Sequence, residues 1–384
     1  MNERGIALPT AMIMLVVLMA LMVAFSALTR TEPVIAENQL KTSRARALAE
    51  AGVERAIWAL ATGVIPDTLG SEAAGTNAAS PYHGGSFITL NSLGGFTVRV
   101  QSAGSTATNQ RTVEAVGWTP TNDTSNPVTK GVRKLQTTVM RLRSPDPPCA
   151  LCVQGQLQLG GNAEVDARSG SCSGATGTPT GTLTTGTATV DGNAKVWGPG
   201  NDTYNQRPAD ISASADASNF SFKFSDDEIT ILKNIAKASG TYYQGSRSFN
   251  GDYLPPNGVI FVDTTDGSVF SSSTPDANRG QASFSGNVTW SGWLIVAGTV
   301  SIAGNASLSG LVYAQNDLSM GGNAAVNGAV VSENRKYTVA TVVDSNATGN
   351  SSITYNCARV RDGGGQIPTG WFVKPGSYRE VAGQ

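Results

Sequence analysis

The feature that most constrains this chain is its first sixty residues. From Ile6 to Leu28 the sequence is an apolar run of 23 residues with no acidic or basic side chain. About 20 such residues suffice to cross a bilayer as a helix. The run begins five residues from Met1 and is followed, with no turn signal between them, by Arg46-Ala-Leu-Ala-Glu-Ala-Gly-Val-Glu-Arg-Ala56, which has amphipathic helical spacing. A cleaved secretory signal has a shorter apolar core, of about 7–15 residues, although Ala24-Phe25-Ser26 is a passable cleavage site. One continuous helix that starts in a membrane and ends on a globular domain is the expectation.

At 384 residues the chain has room for two domains. Its net charge is −1 and 14% of its residues are charged, so there is no basic footprint for nucleic acid. Four cysteines occur: Cys149, Cys152, Cys172 and Cys357. In an oxidising compartment two structural disulfides are expected, with three pairings open. Cys149 and Cys152 have C-x-x-C spacing, but a second such pair and a nearby histidine are lacking for a zinc site.

The segment 4–62 resembles the PilX N-terminal family of type IV minor pilins. The resemblance rests on Arg4-Gly5-Ile6-Ala7-Leu8-Pro9, the apolar run, and Ala49-Glu50-Ala51-Gly52. It implies a prepilin leader at 1–5, cleavage by a prepilin peptidase between Gly5 and Ile6, and N-methylation of Ile6. It also implies a single-pass inner-membrane protein, its bulk periplasmic, that later joins a pilus or the cell surface. Its partners would be other pilins or pseudopilins, met through the N-terminal helix. One departure stands out, because the fifth mature position, acidic in major pilins, is Thr10 here. This is similar to GspK, the tip-type pseudopilin of type II secretion, and implies a scarce subunit rather than a shaft subunit. Lys41, Arg44 and Arg46 after the apolar run would favour the opposite topology by charge alone; the resemblance outweighs that signal.

Beyond the apolar run, the assembly helix is expected over 6–62, with Pro33 inside it and a stop near Gly63. Residues 63–144 read as a pilin-like head. Phe96–Val100, Arg111–Val116 and Val132–Leu142 alternate as antiparallel strands, with turn residues between them.

After Pro145-Asp-Pro-Pro148 comes an internal repeat. Three 18-residue units, 281–298, 299–316 and 317–334, place Asn287, Asn305 and Asn323 each after a glycine, with Gly292, Gly310 and Gly328 further on. Phe284, Ile302 and Met320 align, as do Trp290, Leu308 and Val326, and Leu294, Val312 and Val330. Alternation with period 2 inside a longer repeat predicts short strands wound in stacked coils. Leu157–Val165 and Ala188–Val196 are diverged copies. The fold class is therefore α+β followed by all-β: a long transmembrane helix with a small antiparallel sheet, then a β-solenoid over 145–384. An inserted helix is expected near 225–239, where Ser225 and Glu228 form a capping box and Gly240 a stop. It would shield an end or side of the coils. The repeat region is similar to β-helix domains found behind PilX-type N-termini.

Enzymatic chemistry is not expected. His83, the one histidine, is expected in a glycine-rich loop, and the outward repeat positions carry Asn, Ser and Thr rather than clustered carboxylates. No metal or cofactor is expected; Gly160–Asp166 departs from a calcium nonapeptide at Ala163 and Val165, and Asp263–Gly267 reads as a turn. Trp293, Leu311 and Tyr313 fall on outward positions, where burial under the inserted helix or against Trp371-Phe-Val373 is expected. The functional expectation is a non-enzymatic minor pilin displaying its coils for assembly priming or adhesion, at the tip, with a surface glycan or protein as ligand. Two other readings stand beside it: a type II secretion tip pseudopilin, and a membrane-anchored envelope protein whose solenoid self-associates or binds glycans.

Overall fold

In the computed structural model, residues 7–125, 130–143, 145–168, 179–200, 203–204, 210–213, 220, 222–335, 343–367 and 370–381 are described. The chain divides into two compact units. Unit 1 is Met1–Arg141 with Trp371–Gln384, and unit 2 is Leu142–Gly370.

Unit 1 is built on α1, Ala7–Ala61, a helix of 55 residues and about 80 Å. Pro9 falls in its first turn, where a missing N–H costs nothing, and Pro33 is accommodated in its interior. Gly63 ends it in a left-handed conformation (φ 74°), with Ile65 N–H donating to the Ala59 carbonyl at 3.0 Å. Four antiparallel strands follow in sequence order: β1 His83–Asn91, β2 Gly94–Ser102, β3 Gln110–Thr119 and β4 Gly131–Arg141. The expected strands Phe96–Val100 and Arg111–Val116 lie within β2 and β3, and Val132–Leu142 overruns β4 by one residue, Leu142.

One stripe of α1 covers this sheet. Ala45, Leu48, Ala49, Val53, Ala56, Ala59 and Leu60 are buried at spacings of three and four, against Phe96, Val98, Val113, Ala115 and Leu135. The approach is close enough to exclude side chains. A Cβ on Gly117 would stand 1.9 Å from the Ala45 carbonyl oxygen, and one on Gly52 would stand 2.9 Å from the Ala115 Cβ. The Ala49–Gly52 motif thus has a packing reason, since small residues let helix and sheet backbones meet.

The C-terminus differs from expectation. Trp371–Val373 and Arg379–Val381 pair antiparallel with β4, so the last strands belong to the sheet of unit 1 and not to the repeat region, which was expected to run to 384. Ser377 fastens the strap between them, its hydroxyl accepting from Thr138 N–H at 3.1 Å. Arg111, 1% exposed, donates to the carbonyls of Thr108, Gln110 and Asp67, and its guanidinium lies 5.0 Å from the Trp371 ring centroid.

Among its described residues, unit 2 contains two parallel sheets, of eleven and seven strands. The expected register is observed. Strand 289–296 pairs with 307–314 and that with 325–332, Thr289 facing Ser307 and Ser307 facing Ala325. The three apolar columns align as expected and are buried. The recurrent glycines at 292, 310 and 328 have φ between 130° and 155°, and a Cβ at any of them would stand 2.0 Å or less from the oxygen of the glycine stacked beside it. No other residue fits that column.

The order of stacking is not the order of the sequence. Strand 149–153 pairs with 325–332, 157–159 with 345–347, and 164–166 with 352–355. The first repeats therefore continue the stack from where the last ones stop, leaving 242–249 at one end and 188–213 at the other. The inserted helix α2, Asp226–Ala238, has the expected capping box of Ser225 and Glu228, and it packs at the end formed by 242–244 and 258–263. A third helix, α3 (Cys357–Asp362), was not expected; Asn356 caps its start and Gly363 (φ 60°) its end.

Candidate functional site

Three arrangements carry chemistry, and the first is the exposed half of α1. Leu8–Ser26 has a mean hydropathy of 2.5 and no part of it is buried, so it is long and apolar enough to cross a membrane. Leu8, Met14, Met22 and Val23 are each 70–75% exposed. Thr10 lies on this exposed stretch. Gly5 and Ile6, the expected processing residues, lie outside the described residues.

The second is the corner of the stack that bears the repeated asparagines. Asn305 Nδ2 donates to Asn287 Oδ1 (2.7 Å), Asn323 to Asn305 (2.9 Å), and Asn350 to Asn323 (3.1 Å). The ladder crosses into the earlier repeats, as Asn162 donates to Asn350 (2.8 Å) and Asn193 to Asn162 (3.3 Å). These amides serve one another, which accounts for the repeated Gly-Asn without a ligand.

The third is the set of ionic contacts around α2. Glu228, whose side chain is fully buried, accepts from Arg143 Nε at 2.7 Å and Nη2 at 2.9 Å. Burial alone would raise its pKa, but the bonds from Arg143 and Ser225 together hold it below the usual carboxylate value. Lys233 pairs with the buried Asp263, which also accepts from the Tyr242 hydroxyl at 2.9 Å; burial first, then that bond, pushes the tyrosine up to about 12. Glu333, 2% exposed, is held by the Tyr313 hydroxyl and by Arg335 Nε. At Glu333 burial outweighs the pull of Arg335 and raises the pKa. Arg335 also reaches Asp226 in the first turn of α2, at 3.5 Å. Sequence reasoning missed these partners because all but the Glu333–Arg335 pair are far apart in the chain; the signal available was an acidic N3 residue at Glu228, which explained itself as a cap.

The other expected residues separate. Cys149 and Cys152 form a disulfide with each other inside a strand with no exposure. Cys357 is also disulfide-bonded, and Cys172 lies outside the described residues. His83 opens β1 rather than lying in a loop, and its Nδ1 accepts from Gly85 N–H at 3.0 Å. Trp293, Leu311 and Tyr313 are 1% exposed. Their cover is Phe224, before α2, together with α3, to whose Val360 carbonyl Trp293 Nε1 donates at 2.7 Å. Trp371–Val373, the other expected cover, pairs with β4 instead. Asp166 is engaged by Arg168, Asp263 by Lys233, and Asp266 by its own turn, whose bonds hold it at about 2. Among the described residues no three His, Cys, Asp or Glu side chains converge as metal ligands.

No protein-family model and no curated protein matches the sequence. Among solved structures, the competence-associated pilin ComZ from Thermus thermophilus is similar at 10% identity, over 89% of this chain and 97% of that one, with a TM-score of 0.24. At that score the likeness carries no argument about function.

Proposed function

We propose that this chain is a non-enzymatic, pilin-like minor subunit of a type IV pilus-like machine. The observation that carries this reading is α1: a single helix with one half apolar and wholly exposed, the other half fixed to an antiparallel sheet. Such a helix is suited first to a bilayer and then to a bundle of like helices, because both bury the same apolar surface. The sequence Gly5-Ile6 fits a prepilin cleavage site, and the uncharged Thr10 supports a scarce subunit, placed at or near the tip. The parallel repeats are a β-solenoid displayed by that subunit for adhesion or assembly priming. The chain resides in the inner membrane, its bulk periplasmic, until assembly.

The test is to shear surface fibres from cells making either the native chain or Leu18→Arg. An arginine at the centre of the apolar run costs about 2.5–3.5 kcal/mol for insertion. The native chain is expected in both the membrane and fibre fractions, and Leu18→Arg in neither. A native chain found in membranes but never in fibres would sink the pilus reading and leave the anchored envelope protein.

A further inference from the structure

Unit 2 contains an open cleft of about 610 Å³ beside the start of α2, lined among others by Lys223, Asp226, Phe270, Ser272, Glu333 and Arg335. Binding sites for small molecules fall in the range of about 300–1,000 Å³. The ion pairs described above explain how α2 is held, but not why a polar cleft is left beside it. We propose that this cleft is a binding site for a neutral saccharide, a glycan residue of a surface or matrix polymer. The proposal deepens, and rests on, the reading of the repeat unit as a displayed adhesive module.

Three observations point to that ligand class. The cleft carries two cations and two carboxylates, so neither an anion nor a cation is matched by a net opposite charge. An uncharged ligand that donates and accepts at many positions is matched, and sugar hydroxyls do both. The polar groups are also positioned in advance. Glu333 is locked by Tyr313 and Arg335, Arg335 Nη1 donates to the Phe270 carbonyl at 3.3 Å, and Lys223 Nζ donates to Gln154 Oε1 at 2.9 Å. Groups held this way lose little freedom on binding. Finally, Val269, 66% exposed, gives the rim an apolar surface for the C–H face of a sugar ring. Asn334, which also lines the cleft, is the one non-glycine among the described residues with a positive φ (42°), an uncommon conformation between Glu333 and Arg335.

The test uses the full-length chain in detergent micelles on an array of oligosaccharides built from glucose, galactose and N-acetylglucosamine, with sialylated and sulfated members as the anionic arm. Ser272→Trp fills the mouth from an exposed position, and Lys223→Gln removes a donor. Ser248→Trp, on an exposed position of the seven-stranded sheet outside the cleft, is the control. Neutral glycans are expected to bind the native chain and Ser248→Trp alike, with affinity about tenfold or more weaker in Ser272→Trp and in Lys223→Gln at unchanged Tm. Failure to retain any glycan, equal retention by Ser272→Trp and Lys223→Gln, or retention of the anionic members alone overturns the proposal. None of these outcomes bears on fibre incorporation, which the shearing experiment reads separately.

Discussion

The two longer helices are attached by opposite means. The packed half of α1 meets its sheet through alanine, valine, leucine and glycine, with backbones in near contact. By contrast, α2 is tied to the repeats by Arg143–Glu228, Lys233–Asp263 and Asp226–Arg335, in addition to the apolar residues Ile229, Ile231, Leu232 and Ala236. The packed seam of α1 holds by apolar burial and does not depend on the charge state of any group. Ion pairs hold only where protonation and partner geometry are maintained. The difference teaches that the α1 seam is indifferent to pH and salt, whereas the seat of α2 depends on both.

That contrast can be broken most forcefully at Val53, which is 3% exposed in the helix–sheet seam. Val53→Asp buries an unpaired carboxylate and is expected to destabilise unit 1 by about 4 kcal/mol or more, read as loss of its thermal transition. Retention of that transition would mean that the seam is not a packed core. A step smaller is Gly117→Ala, whose Cβ has nowhere to go; a loss of about 1–3 kcal/mol is expected by denaturant titration. The midpoint should shift without a change in slope.

Third in size is Glu228→Gln, expected to cost about 1–2 kcal/mol at neutral pH because Arg143 is half exposed and rehydrates. Glutamine keeps the capping bond to the Ser225 backbone, so the variant isolates the Arg143 pair. Glu228 titrates below its unfolded value, so its contribution is complete above the ordinary carboxylate range and disappears as pH falls through the folded value. The native chain should therefore lose unit 2 stability on acidification more steeply than the variant, and a parallel pH profile would refute the ionic attachment of α2. The smallest effect belongs to Asn305→Ala, which removes two exposed ladder bonds and should cost about 0.5–1 kcal/mol. A larger loss would show that the ladder, rather than the apolar columns, sets the register.

How much of this was legible in the sequence follows from distance along the chain. The eighteen-residue register could be read because stacked residues such as Trp290 and Leu308 recur in one short window. Likewise α1 declared itself through an uninterrupted apolar run and a regular stripe. The seating of 149–166 on 330–355 was not legible, since nothing local distinguishes which repeat follows which. Nor was the return of Trp371 to β4, because a three-residue strand gains its meaning only from the edge it joins. Glu228 hid its second role behind a first one, as a residue that completes a cap gives no sign that an arginine 85 positions away needs it. The helix α3 had a readable signal, Asn356 followed by Gly363, in a segment too short for periodicity.

The central claim is that α1 is an assembly helix, processed and then packed among its like. Intact-mass analysis with N-terminal sequencing of the mature protein tests it most directly. The account expects a chain that begins at an N-methylated Ile6. A chain retaining Met1, or one beginning at Ala27, would contradict it.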